Sequence, residues 1–339
     1  MAAMKKKNSN SGGGPTPESI REMIIAFQRS RVVLTAFELG IFTALGDDAL
    51  SAADVSGKTG TDAKAAERLM NALCALDLLE KRNGSFRNTP AASRCLVEGR
   101  PDYMAGIMHL SNLWETWSTL TGTVRSGKPV IGDEINDRGD GWLVSFIAAM
   151  HDRARRTAPA VVSLLDLSGV RRVLDVGGGS GVYSMAFVKA ADGITAAVFD
   201  LPGVAPITKG YIDREGLAGR IGIFTGDYNT DPLPPGFDLV FLSAVVHSNS
   251  HDENRELIRK CAASLNPGGR VVVQDFIMND DRTAPAHGAL FSINMLVGTR
   301  AGDVYTETEI RGWMEDAGMA RCVRVDTDFG TSLVIGRKN

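Results

Sequence analysis

Between Glu18 and Leu45, apolar residues recur at the three-and-four spacing of helices: Ile20, Met23, Ile24, Phe27, Val32, Val33, Ala36, Phe37, Leu39 and Ile41, with a break near Gly40. Ser51-Ala-Ala-Asp-Val then opens a short helix. Thr59-Gly-Thr-Asp62 makes a turn that ends in a capping residue, and Ala63 to Leu79 reads as a second helix. The polar stretch Glu80 to Thr89 carries Asn83-Gly84, a strong hairpin signal. Helix, turn, helix and hairpin together predict a winged-helix domain over residues 18–98.

Residues 99–170 read as further helices. Trp114, Trp117 and Leu120 fall at i, i+3 and i+6, a spacing that suggests a core stripe. Gly132 to Gly141 is a polar, glycine-bearing loop, and Phe146, Ile147, Met150 and Ala154 form another helical stripe. From residue 171 to 339 the pattern alternates. Val173, Leu174 and Val176, then Ala196 to Phe199, Ile221 to Phe224, Phe237 to Leu242 and Arg270 to Asp275 are apolar strand-like runs separated by helical ones. Such alternation predicts an α/β fold, a Rossmann-like doubly wound parallel sheet with ligands at the carboxyl ends of its strands. Asn266-Pro-Gly-Gly269 is a turn before the last of these strands, and Thr306-Glu-Thr-Glu309 is a capping box that starts the final helix. Val323 to Val325 and Leu333 to Ile335 close the sheet as an antiparallel C-terminal hairpin.

Composition narrows the partners. With 339 residues, 44% of them hydrophobic, the chain can bury a large core in two domains. A net charge of −3 argues against a dedicated nucleic-acid or anionic-membrane binder. The candidate reading helix sets Lys64 and Arg68 against Asp62, Glu67 and Asp77, which is no basic face, so the first domain reads as a scaffold for self-association. Four scattered cysteines lack any Cys-x-x-Cys pair and suggest reduced thiols. Residues 1–17 carry Lys5-Lys-Lys7 but no apolar stretch, and read as a disordered tail of a cytoplasmic protein. The run Ala289 to Val297 is too short to span a bilayer.

The chemistry concentrates after Val173. Gly177, Gly178, Gly179 and Gly181 allow a tight turn in which backbone presses against a ligand. A nicotinamide fingerprint would need glycine where Val182 stands, whereas Asp175-x-Gly177-x-Gly179-x-Gly181 fits throughout. Asp200 closes the next strand, where a carboxylate receives the hydroxyls of a cofactor ribose. These motifs, with Phe199-Asp-Leu-Pro202, Gly226-Asp-Tyr228 and Asn266-Pro-Gly-Gly269 in this order, resemble the small-molecule O-methyltransferases of the class I S-adenosylmethionine-dependent superfamily, over roughly residues 20 to 336. The likeness is to the plant caffeate and acetylserotonin type, in a bacterial branch.

That resemblance implies a homodimer that binds S-adenosylmethionine through Asp175, Gly177, Gly179, Gly181, Asp200, Leu201, Gly226, Asp227, Tyr228 and Ser243. It implies that His247 removes the proton from a hydroxyl on an aromatic acceptor, steadied by Asp275. Trp114, Phe146, Met150, Phe291, Asn294 and Met295 become candidates for the acceptor pocket. The chain departs from the family pattern at Asn249, where the family has tryptophan, at Ser248, where it has an acid, at Ser243, where plant members have lysine, and at Val304, where they have a second glutamate. His247 and His251 stand at i and i+4, but no glutamate lies between them and no third ligand is obvious, so no metal is expected. Methyl transfer to carbon or another acceptor is the alternative within the fold; a winged-helix regulator that senses a metabolite is the alternative outside it.

Overall fold

The computed structural model describes residues 14–130 and 140–339. The expected tail and the loop from Gly132 therefore lie largely outside the described residues. The chain divides into two compact units at Tyr103/Met104. Of residues 99–170, those up to Tyr103 fall in the first unit and the rest in the second.

In the first unit, helices Pro17–Ile25 and Phe27–Glu38 are followed by Gly40, whose φ of 67° supplies the expected break. Ile20, Met23, Ile24 and Phe27 are exposed, whereas Ala36, Phe37, Ile41 and Phe42 are buried. Ser51 caps helix Ala52–Thr59 in a reciprocal capping box with Asp54, and Asp62 caps helix Ala63–Ala75. Strand β1 (Leu50–Ser51), unforeseen in the sequence, completes a three-stranded sheet with the expected hairpin β2 (Leu79–Arg82) and β3 (Ser85–Asn88), in the order β1-β3-β2. Asn83 and Gly84 both take positive φ at the hairpin tip, which asparagine tolerates and glycine adopts freely for want of a Cβ.

The second unit is built on seven strands: β4 (Arg172–Val176), β5 (Thr195–Asp200), β6 (Ile221–Thr225), β7 (Phe237–Ser243), β8 (Leu265–Asp275), β9 (Met319–Asp326) and β10 (Ser332–Lys338). Their order is β6-β5-β4-β7-β8-β10-β9. β4 to β8 pair in parallel, and β10 is antiparallel to both neighbours. Period-two alternation sends Leu174, Val240, Leu242, Val271 and Val273 into one apolar layer and Val173, Leu239, Phe241 and Val272 into the other. Both faces are covered, which is why these strands read as continuous apolar runs. The expected turn Asn266 to Gly269 lies within the start of β8, where the register against β7 slips between Phe237 and Leu239 and Gly268 takes φ of 74°. Because the order reverses at β4, the carboxyl ends of β4, β5 and β7 open a crevice at a topological switch point.

Candidate functional site

The glycine loop leaves β4 at this switch point. Gly177, Gly179 and Gly181 take φ of 65°, 55° and 73°. A side chain at Gly177 would meet Val245 at 2.8 Å, and one at Gly178 would meet the Asp175 carboxyl at 2.7 Å. Asp175 is fully buried and ties the strand to the helix after the loop, its Oδ2 accepting hydrogen bonds from Ser184 N at 3.1 Å and Ser184 Oγ at 2.9 Å. Its Oδ1 has no hydrogen-bond partner among the described residues, and burial pushes the carboxyl up to about 7. Asp200, at the end of β5, accepts from Gly179 N and from Leu201 N, both at 2.8 Å, and burial raises it as well. Two buried carboxylates beside open backbone thus form a cradle suited to a ligand with positive charge and a ribose.

Around this cradle Gly226 lies so near Phe199 that a Cβ would meet its ring at 2.6 Å. Asp227 Oδ1 accepts from Asn229 N at 2.8 Å, the turn role open to an aspartate after glycine. Tyr228 lies against Gly177, and its hydroxyl donates to Asn249 Oδ1 at 3.4 Å. Ser243 Oγ is engaged with Gln274 Oε1 at 2.9 Å, within the sheet.

Sequence reasoning missed the cover over the loop. Helix Asp140–Ala154 lays Leu143 near Gly203 and Ile147 near Gly179, and His151 Nδ1 is 2.9 Å from Ser180 Oγ. The His151 ring stacks on Tyr211 at 4.2 Å, and burial lowers its basicity. The Ile147 stripe was legible; its target was not, because periodicity does not say which surface a face meets.

Past β7 the chain enters the segment with the candidate base. Ala244 takes φ of 57°, a strained value for a residue with a side chain, and a short 3-10 turn at Val246–Ser248 follows. His247 is nearly buried, and its Nδ1 donates to Asp275 at the end of β8, 2.8 Å from Oδ1 and 3.0 Å from Oδ2. Its backbone N–H lies 3.4 Å from Asp275 Oδ2, and Phe276 N donates to Oδ1 at 2.8 Å. The Phe291 ring stands edge-on to the imidazole at 4.8 Å. Val304, in place of a second acid, packs with Phe276 and Met278.

The remaining sequence candidates separate. Phe291 joins the base, and Met295 is buried on the same helix, Ala286–Gly298. Asn294 Oδ1 accepts from Trp117 Nε1 at 2.8 Å. Phe146 stacks on Trp142 at 5.1 Å, with His109 against both rings. Met150 is half-buried on the helix that carries Phe146. The stripe Trp114, Trp117, Leu120 is not a core face: the helix ends at Ser118, Trp117 is exposed, and Trp114 and Leu120 are half-buried. His251 accepts from Trp313 Nε1 at 3.1 Å, away from His247, while Ser250 caps the helix. Among the described residues, no group of three or more His, Cys, Asp or Glu could hold a metal ion.

Sequence reasoning also gave Asn249 no task of its own. It is buried, its Nδ2 donates to Asn254 Oδ1 at 3.1 Å, and Asn254 Nδ2 donates to Val246 O at 2.8 Å. Tyr305 Oη donates to Asn249 O at 2.6 Å. These bonds link the Tyr228 side of the cradle to the segment carrying the base.

A seven-stranded sheet with this order, a glycine loop at the switch point and an acid closing the next strand define a class I S-adenosylmethionine-dependent methyltransferase. The profile of the O-methyltransferase domain matches residues 127–320, and that of the O-methyltransferase dimerisation domain matches residues 22–98. The chain belongs to the O-methyltransferase family. It is 34% identical to the 3-hydroxy-5-methyl-1-naphthoate 3-O-methyltransferase of Streptomyces sahachiroi, over 97% of this chain and 99% of that one. It is 30% identical to the tetracenomycin polyketide synthesis 8-O-methyl transferase TcmO of Streptomyces glaucescens, over 95% and 97% of the two chains. Human N-acetylserotonin methyltransferase, solved in complex with S-adenosylmethionine, superposes with a TM-score of 0.83 at 26% identity over 97% and 99% of the two chains. S-adenosylmethionine is the cofactor, and no helix among the described residues is long and apolar enough to cross a membrane.

Proposed function

We propose that this enzyme methylates a hydroxyl oxygen of an aromatic small molecule, with His247 as general base and Asp275 as its positioning carboxylate. The carrying observation is the pair itself: Asp275 holds Nδ1, and Nε2 bonds no protein atom among the described residues. A phenol with a pKa near 10 is a weak nucleophile at neutral pH until its proton is removed, and a neutral imidazole at Nε2 can remove it. Asp275 then stabilises the imidazolium that forms. When bound, S-adenosylmethionine supplies an electrophilic methyl on sulfur and a thioether leaving group. Asp200 would receive its ribose hydroxyls, Asp227 its adenine amine and Tyr228 its ring, with Asp175, Gly177, Gly179 and Gly181 shaping the cradle. Leu201 and Gly226 would line it, while Ser243 would act from behind through Gln274. The remainder of the rate gain comes from alignment.

The acceptor side would be formed by Phe291, Met295, Phe146 and Met150, with Trp114 and Asn294 at its margin. The hydroxynaphthoate named for the Streptomyces sahachiroi relative agrees with this apolar, ring-rich lining. A winged-helix module with Ile20, Met23, Ile24 and Phe27 exposed supports a homodimer, since apolar patches of this kind pack on another subunit. Free Cys74, Cys95, Cys261 and Cys322 suit a reducing cytoplasm. Val304 in place of a second acid favours one further reading, an acceptor that is a carbon or an already ionised oxygen.

Labelled methyl transfer to phenols, catechols, hydroxyindoles and hydroxynaphthoates, for wild type and His247→Ala, tests the assignment. Transfer to oxygen that falls by about 10²-fold or more in the variant supports a general base. An unchanged rate would turn the reading to a carbon or pre-ionised acceptor.

A further inference from the structure

We infer that Arg153 selects acceptors carrying an anionic substituent on the ring; the inference rests on the proposed methyl transfer at His247. Helix Asp140–Ala154 presents two stripes. Leu143, Ile147 and His151 meet Gly203, Gly179 and Ser180 on the cofactor side. Phe146, Met150 and Arg153, at i, i+4 and i+7, share a different face.

That second stripe ends at the site. The Arg153 guanidinium lies 4.9 Å from the centroid of the Phe276 ring. Phe276 directly follows Asp275, and its ring is 4.6 Å from Phe291, which is itself 4.8 Å from the His247 imidazole. From base to guanidinium the structure thus lays out two aromatic rings. An aromatic acceptor seated along them with its hydroxyl at His247 turns the far side of its ring toward Arg153.

No ion pair holds the Arg153 charge among the described residues. Its neighbour Arg155 is paired with Asp152, and Arg282, Arg300, Arg311 and Arg324 all have acid partners, whereas Arg153 has none among the described residues. Arg153 is exposed with its guanidinium carbon over the Phe276 ring, and a guanidinium can receive a carboxylate in a bidentate manner. His287 packs edge-on against the same ring at 4.7 Å and adds an exposed imidazole to that rim. No carboxylate among the described residues pairs with Arg153, so a ligand carboxylate fits the place.

Two ligands could bring one: the acceptor, or the methionine part of the cofactor. The helix faces favour the acceptor, because His151, and not Arg153, touches the glycine loop.

Binding in the presence of S-adenosylhomocysteine would be measured for mono- and bicyclic aromatic hydroxy acids, each paired with its uncharged carboxamide. Wild type is expected to bind at least one acid about 10-fold or more tightly than its amide. In Arg153→Met that ratio falls to near one, and Arg153→Lys keeps part of it. S-adenosylhomocysteine affinity of Arg153→Met, measured alone, stays at the wild-type value and also reports an intact fold. Equal binding of acid and amide in every pair overturns the inference, as does a preference that survives in Arg153→Met or a matching loss of S-adenosylhomocysteine affinity. An Arg153-dependent preference without methyl transfer to oxygen supports the anion site while sinking the O-methyl reading, so the two fail separately.

Discussion

His247 and Asp275 leave adjacent parallel strands, β7 and β8, and meet through both carboxylate oxygens, 2.8 and 3.0 Å from Nδ1. The pairing fixes which imidazole nitrogen carries the proton, so Nε2 is the one left for an acceptor on the proposed reading. Asp275→Asn keeps the shape and removes the charge that stabilises an imidazolium. The turnover number is expected to fall by about 10²-fold or more, with KM for the acceptor nearly unchanged. Steady-state methyl transfer checks this; an equal rise in KM would instead mark Asp275 as part of the acceptor site.

Asp175 makes the ligand-free protein pH-sensitive. Its folded-state value is raised to about 7 by burial, against about 3.9 in an unfolded chain. The folded form therefore holds the proton more tightly, and this contribution to stability is complete below about pH 4 and is lost as pH rises through about 7. Asp175→Asn removes that loss, since the amide oxygen can still accept from Ser184. The variant is expected to melt clearly higher than wild type at pH 8, by a smaller margin at pH 5 and about equally near pH 4, and to bind S-adenosylmethionine more weakly. Thermal melts across this range, without cofactor, give the answer; parallel pH curves for the two proteins would refute the assignment.

The parallel sheet was legible because strands covered on both faces leave uninterrupted apolar runs, as Val240, Phe241 and Leu242 do. Caps were legible for a similar local reason: Ser51, Asp62 and Thr306 each satisfy a backbone N–H a few residues away. What failed were readings that depend on distant partners. Trp114 and Trp117 look like a core stripe, yet the helix stops at Ser118 and Trp117 turns its indole to Asn294, far along the chain. Likewise nothing near His151 in sequence says that it rests on Ser180. The pair His247–Asp275 was found only through a family pattern, since spacing alone does not join the exits of two strands.

Gly302 bears on the segment of the proposed base, His247, from behind. A Cβ there would collide with the carbonyl oxygen of His247 and lie 2.6 Å from Thr299 Oγ1. Gly302→Ala must displace the Val246–Ser248 turn, and a shift of about 1 Å at a reacting group can cost about 10²-fold in rate. Methyl transfer is expected to drop by at least about 10-fold while S-adenosylhomocysteine binding holds, because the glycine loop is untouched. Isothermal titration alongside kinetics separates the two, and a full wild-type rate would show that the turn yields freely.

Asn249 tests whether the departure from the family residue is built into this fold. Its amide joins Tyr228 and Asn254, and through the Asn254 bond to Val246 O the turn that carries His247, at 3% exposure. Asn249→Trp would force a large ring into filled space and leave Asn254 Oδ1 without its donor. Overpacking and an unpaired buried acceptor together are expected to destabilise the protein by about 2 kcal/mol or more. Asn249→Ala avoids the crowding but still strands Asn254 Oδ1 and the Tyr228 hydroxyl, for roughly 1–3 kcal/mol. The second variant should also loosen the cofactor side, because Tyr228 loses its tie to the turn, so S-adenosylmethionine affinity and melting temperature fall together. A tryptophan variant that melts like wild type would mean the segment repacks around either residue, and that Asn249 reflects no constraint of this interior.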